Sequence, residues 1–361
     1  MNILYVGDKY DYMSPEQGMS YGYYIFYHSL VAMNGGRNHV VYFAADAMIQ
    51  KEGKKQANTK LLEAVEKEKP QLVFFAVSGE IGDIFEKETV RQVSSKKGVT
   101  TVAWMSDDQW AFETISKHWA PYFTWVITTN DKSPEKYKKI GYTNVIKSQW
   151  ACNHWLYKKL SLPKIYDVSF VGRPHGNRKD MIAKIQGQGI QVQCWGPGWQ
   201  NGGVSQEQRI AIFSQSKICL NFTKNAGVLW KELLSLFVRR RMHDRKILVN
   251  PPARIMGNIK TLPAVMWNNQ IKSRNFEIPG CGSFCLTEYA NDMESYYELG
   301  KEIECFSNAK EAAEKIRYYL EHEQEREAVA KAGYERTLKD HTYEKRFNEL
   351  FTTIGLAAST I

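Results

Sequence analysis

Short apolar runs alternate with longer amphipathic stretches through the first 150 residues. Residues 2–6, 40–43, 72–77, 100–104, 125–128 and 144–147 are brief and mostly rich in Val, Ile and aromatics, so each predicts a strand. Between them run helical patterns, such as residues 58–69, where Leu61, Leu62 and Val65 share a face and Pro70 ends the helix. Strands that are apolar throughout and alternate with helices predict a parallel sheet covered on both faces.

The alternation pauses at residues 148–166, which hold Trp150, Asn153 and Pro163 but no clear strand, and this stretch reads as a linker. A second series follows: strand 167–172, helix 179–186, strand 191–195, helix 206–214 and strand 218–222. Residues 224–269 break the pattern. Strand and helix resume at 276–280, 284–287, 303–305 and 309–321, and residues 342–351 form a last helix. A chain of 361 residues exceeds what one core usually holds, so two α/β domains are expected.

Hydrophobic residues at 43% and charged residues at 24% describe a soluble globular protein, and no apolar run reaches the roughly 18–20 residues that span a bilayer. The N-terminus reads as a buried strand without a basic flank or signal core, which points to a cytoplasmic location. The six cysteines are scattered and read as reduced thiols. The histidines stand at no metal-ligand spacing, so no metal site is expected. The formal charge of +9 is local: residues 224–274 hold eleven Lys/Arg and two acids, an excess equal to that of the whole chain. This concentration implies a phosphate-bearing partner near the segment. Within it, residues 229–246 join an apolar helical stretch to a basic cluster. That combination fits a solvated insertion, a peripheral contact with an anionic membrane, a clamp on a phosphorylated acceptor or, less well, nucleic acid.

Ligands of parallel sheets sit at the carboxyl ends of strands. Asp8, followed by Gln17, Gly18 and Ser20, lies after the first strand, and Asp107 and Asp108 lie after strand 100–104. Those acids can orient or deprotonate an acceptor hydroxyl, or simply cap helices. Val171-Gly172-Arg173-Pro-His-Gly176-Asn177-Arg178 follows a strand and precedes a helix, so Arg173 and Arg178 either meet an anion at the helix start or form a solvated basic turn. The run from Gln270 to Tyr289 places Lys272 and Arg274 ahead of Glu277, then a Pro-Gly-x-Gly break through Gly280 and Gly282. Such an order suits a diphosphate beside ribose hydroxyls, or an ordinary connection between elements. Neither a dinucleotide fingerprint nor a phosphate loop of the nucleotide triphosphatases occurs.

The stretches Ser148-Gln-Trp-Ala-Cys-Asn153, Tyr166 to Arg173 with Gly176-Asn-Arg178, Gln270 to Tyr289 and His341-Thr-Tyr-Glu-Lys-Arg346 resemble those of the spore-maturation (CgeB-like) glycosyltransferases, a GT-B family. The resemblance implies two Rossmann-like domains with parallel sheets facing a central cleft. Residues 1–150 would hold the acceptor and 165–340 the donor, with a basic insertion at 224–269, and helix 341–355 would pack back on the first domain. By the same resemblance Arg173 and Arg178 would hold the donor diphosphate, helped by Lys272. Gly172, Asn177, Arg274, Asn275, Glu277, Gly280 and Gly282 would line the donor, with Glu277 on the ribose. Asp8, Gln17, Gly18 and Ser20 would lie on the acceptor side, and Asp107 or Asp108 would orient the acceptor.

Where the wider superfamily carries a second acid, eight residues before Glu277, this chain has Asn269. The expected activity is metal-independent transfer of a hexose, with retention, from a nucleoside diphosphate sugar to a glycan, lipid-linked or protein acceptor. The alternative is a non-catalytic relative that binds nucleic acid or an anionic surface.

Overall fold

The computed structural model describes residues 1–77, 79–224 and 229–356. The chain forms two compact units, and neither is continuous in sequence. The first comprises residues 1–149, 233–264 and 344–361, the second residues 150–232 and 265–343.

In the first unit, β1 (Asn2–Gly7), β2 (His39–Ala44), β3 (Leu72–Ala76), β4 (Thr100–Met105), β5 (Trp125–Thr128) and β6 (Val145–Lys147) form one parallel sheet in the order β2-β1-β3-β4-β5-β6. These strands match the apolar runs to within a residue or two. Leu4, Val6, Val73, Phe75, Ala103 and Val126 pack on one face. On the other face Phe74 meets Tyr5, Phe26 and Phe347, with ring centroids 5.6–6.2 Å apart. The helix read at 58–69 extends over Ala45–Glu68, because Gly53 at φ 79° interrupts a polar stretch that hides its periodicity.

The second unit pairs β7 (Tyr166–Val171), β8 (Gln193–Trp195), β9 (Ser216–Asn221), β12 (Cys285–Glu288) and β13 (Glu304–Phe306) in the order β13-β12-β9-β7-β8, again all parallel. The linker runs beside the chain's later return: Cys152 N–H donates to His341 O at 2.8 Å, and Tyr343 N–H donates to Cys152 O at 3.0 Å. Helix Tyr343–Thr353 then contributes Phe347 to the first unit.

The basic insertion differs most from its expected place. Its residues 225–228 lie outside the described residues. Residues 233–264 belong to the first unit rather than the second, and they hold an antiparallel hairpin of β10 (Val238–Arg240) and β11 (Ile247–Val249). Electrostatics explains the move. Arg239 forks onto Asp83 at 2.9 and 3.1 Å, and Arg254 forks onto Glu80 at 2.6 and 2.9 Å. Bidentate pairs of this kind combine charge with fixed geometry. Met242 closes the contact, filling the space beside Gly79, where a Cβ would lie 2.7 Å from its sulfur. Much of the positive charge that sequence alone assigned to a phosphate partner is therefore matched by the protein's own acids.

Candidate functional site

The turn after β7 carries Arg173 and Arg178, the cations read from sequence as facing an anion. Gly172 N–H donates to Trp195 O, and Gly172 O accepts from Trp199 Nε1, both at 2.8 Å. Gly196, at φ 130°, lies so close that a Cβ on it would overlap the Gly172 carbonyl, so this crossing of chains needs glycine. The turn thus delivers Arg173 and Arg178 from a fixed strand end. Arg178 begins helix Arg178–Gln186, with Asn177 as the residue before it. Its guanidinium donates to Arg173 O at 3.1 Å and lies 5.9 Å from the Phe170 ring centroid.

Residues 270–277 approach the same turn. Arg274 Nε donates to Val171 O at 3.4 Å. Lys272 is held by its Nζ on Gln270 Oε1 at 2.8 Å and by its N–H on Asn275 Oδ1 at 2.9 Å. His175 reports the convergence: partial desolvation, then the cations Arg178 and Lys272, hold its imidazole below its usual range. The sequence reading quoted His175 within its motif but gave it no role. Three cations from two separated segments, Arg178, Lys272 and Arg274, therefore meet at the carboxyl end of β7.

Several residues expected to line a donor are instead internal. Glu277 has no exposed surface and accepts from Arg274 Nη1, whose side chain is 19% exposed. Burial, then the charge of Glu277, raises the pKa values of Cys152, Tyr157 and Tyr343 around it. A carboxylate so enclosed does not present itself to ribose hydroxyls, and what it does in this structure is fix Arg274. Asn275 is buried, donating to Thr287 Oγ1 at 2.9 Å and accepting from Asn221 at 3.2 Å, so it ties the cationic segment to β9 and β12. Gly280 is a packing glycine, since a Cβ there would overlap Cys152 Sγ, and Gly282 at φ 68° turns the chain beside Lys159. Asn269 donates to Tyr289 O at 2.7 Å. Glu288, missed from sequence, is buried and accepts from the N–H groups of Thr223 and Lys224 at 3.0 and 2.9 Å. Its one visible signal was an acid at the end of an apolar strand.

In the first unit, Asp8 and Ser20 are brought together but buried, with Ser20 Oγ and the Tyr42 hydroxyl donating to Asp8 O. Gln17 and Gly18 lie exposed on the loop between them, and buried Asp46, also missed, anchors that loop through the N–H groups of Lys9 and Tyr10 at 2.7 and 2.9 Å. Asp107 is half-buried at the start of helix Asp108–Ala111. Asp108 is fully buried and accepts from the Tyr137 hydroxyl at 2.8 Å, which removes it as a group that could touch an acceptor. Burial pushes its carboxyl up to about 6, against hydrogen bonds from Ser116, Thr128 and Tyr137. A carboxyl raised in the folded state binds its proton more tightly there, so stability falls as pH rises from about 4 to about 6. Asp108→Asn is expected to flatten that slope, a difference of ~2–3 kcal/mol across the window. Denaturant unfolding of both proteins at pH 4 and pH 7 checks it; parallel pH profiles would refute it.

The comparisons bear on this arrangement. The family model "Glycosyl transferase-like" matches residues 177–352, from the turn after β7 onward. The spore protein CgeB of Bacillus subtilis (strain 168) is 21% identical over 257 residues, covering 69% of this chain and 73% of CgeB. Sucrose-phosphate synthase of Thermosynechococcus elongatus superposes over 99% of this chain and all of its own, with TM-score 0.63 and 9% identity. The fold is GT-B. The glycosyltransferase of Rickettsia africae ESF-5 has TM-score 0.56 at 8% identity, covering 98% of each chain. Anabaena Alr3699/HepE, solved with UDP-glucose, has TM-score 0.57 at 10% identity, covering 98% of this chain and 99% of its own. Among the described residues no group of three or more His, Cys, Asp or Glu is placed to hold a metal, and no helix is long and apolar enough to cross a membrane.

Proposed function

We propose that this protein transfers a hexose from a nucleoside diphosphate sugar to an acceptor hydroxyl, on a glycan, a lipid-linked sugar or a protein, with retention and without a bound metal. The observation that carries the reading is the meeting of Arg178, Lys272 and Arg274 at the end of β7, within the unit that holds most of the glycosyl transferase-like match. HepE, of the same fold, binds UDP-glucose, and the donor here is proposed to be of that class.

The chemistry follows from charge. Cleaving the bond between the sugar and the diphosphate leaves negative charge on the departing phosphate oxygens. Cations already fixed there stabilise that charge without rearranging during the step. Arg173 and Arg178 would hold the diphosphate beside the start of their helix, Lys272 would meet the leaving oxygen, and Arg274 would be aimed by Glu277. Gly172 and Asn177 would let the backbone approach. Asp107 would orient the acceptor hydroxyl. Polysaccharide biosynthesis in the cytoplasm is the setting this activity fits.

A thermal-shift screen with UDP, GDP, ADP and their hexoses is the direct test. A ligand at a hundredfold excess over its Kd stabilises the folded state by about 2.7 kcal/mol, which raises the melting point by several degrees. The expected result is a rise with one nucleoside diphosphate series, together with slow donor hydrolysis that persists in EDTA. No shift with any of them, and no turnover, would refute the reading.

A further inference from the structure

The hairpin of residues 233–264 is built inside out. Register pairs Val238 with Val249 and Arg240 with Ile247, so these four share one face, while Arg239 and Leu248 share the other. In a soluble hairpin the apolar face turns inward. Here Arg239 turns inward, onto Asp83 and Glu80, and Arg241 joins Asp83 at 3.7 Å. Ile247 and Val249 stand outward at 74% and 80% exposure.

The flanking helices repeat the choice. Helix Leu229–Phe237 buries Leu236 but exposes Leu234 and Phe237, and helix Pro252–Trp267 exposes Met256 and Ile259. Asn250 and Asn258 tie the three elements together, each donating to Leu236 O, at 2.9 and 3.1 Å. The apolar surface is therefore carried on elements that are hydrogen-bonded to one another. Its charge is one-sided: residues 233–264 carry seven Lys/Arg and the single acid Asp244. Arg239, Arg241 and Arg254 are matched by acids and Lys246 lies 3.9 Å from Asp244, while the side chains of Arg240, Arg245, Lys246 and Lys260 are exposed. Apolar side chains ringed by exposed cations suit the boundary between lipid headgroups and acyl chains, where each contributes separately.

We infer that residues 233–264 dock the protein peripherally on an anionic lipid surface, with Phe237, Ile247 and Val249 entering the headgroup layer and Arg240, Arg245 and Lys246 meeting lipid phosphates. A second copy of the chain or a nucleic acid would fit one property each. A self-facing patch would place these like charges against each other, and nucleic acid would have no use for exposed Ile and Val. This inference is independent of the sugar-transfer reading and needs no donor.

The test is flotation of the full-length chain with vesicles of phosphatidylcholine alone and with equal parts phosphatidylcholine and phosphatidylglycerol. Binding is expected only to the anionic vesicles and is expected to weaken in high salt. Each basic residue near such a surface is worth about a fivefold change in partitioning, so Arg240→Glu with Lys246→Glu should lower binding at least tenfold. Ile247→Asp with Val249→Asp should abolish it. Both positions are solvent-exposed, so these variants should keep the wild-type melting point, which is measured alongside. Failure of the wild type to float with anionic vesicles would overturn the inference, as would retained binding by Ile247→Asp/Val249→Asp. So would a wild-type dimer that this double variant turns into a monomer, or DNA binding that outcompetes vesicles.

Discussion

Arg178→Ala is expected to reduce kcat for donor cleavage about 100- to 1,000-fold, the cost of removing one fixed donor from a site of developing negative charge. The structural losses are small by comparison. Arg178 gives up, among its contacts, a hydrogen bond to Arg173 O and its place 5.9 Å from the Phe170 ring, at the start of helix Arg178–Gln186. Folding should therefore survive with a loss of ~1 kcal/mol. Arg178→Lys keeps the charge but not the fork, and is expected to fall between the two. Steady-state kinetics on the donor that shifts the melting point separates the possible roles. A fall in kcat assigns Arg178 to the transition state, whereas a raised KM at unchanged kcat would show that it merely binds. Equal kinetics for Arg178→Ala and wild type would remove the cation cluster from the mechanism.

Glu277→Ala is expected to cost ~3–5 kcal/mol of stability, because it strands the guanidinium of Arg274 without its carboxylate in a mostly buried setting. The neighbourhood offers little in exchange. Cys152, Tyr157 and Tyr343 are fully buried around the site, and burial raises the pKa of each, so none supplies a replacement negative charge. Glu277→Gln keeps the shape and one acceptor, and should lose less. Chemical denaturation measures both. Arg274→Met with Glu277→Met removes the pair together and should recover much of what Glu277→Ala loses, as replacing both partners of a buried pair commonly does. If Glu277→Ala unfolds at the same denaturant concentration as wild type, the pair is not a structural one.

The two sheets were readable because their strands are apolar on both faces, which leaves a run of Val, Ile and Phe that no other element imitates. β1, β5 and β7 stand within a residue of their sequence-read limits. The cations Arg178, Lys272 and Arg274 were readable as residue types near turns, but their meeting depended on the fold bringing residues 270–277 to the end of β7. What stayed hidden depended on distant partners. Arg239 finds Asp83 across 156 residues, so a local reading saw an unmatched basic run where the fold supplies acids. Glu277 looked accessible because Lys272, Arg274 and Asn275 precede it, although Phe276 and Ile278 flank it directly, and the thiol and phenols that enclose it come from Cys152, Tyr157 and Tyr343. Asp108 carried no sign of burial either, since Tyr137 lies 29 residues on.

The interleaved path of the chain has a consequence for biosynthesis. Phe347 sits against Phe26 and Phe74, so the opening sheet lacks part of its covering until residue 347 has been added. The lobe begun second needs only residues 150–343, and can become whole while the nascent lobe begun first still waits for its closing helix. A chain truncated after residue 343 should therefore display a protease-resistant later half and a cleavable beginning, the reverse of the usual amino-to-carboxyl order.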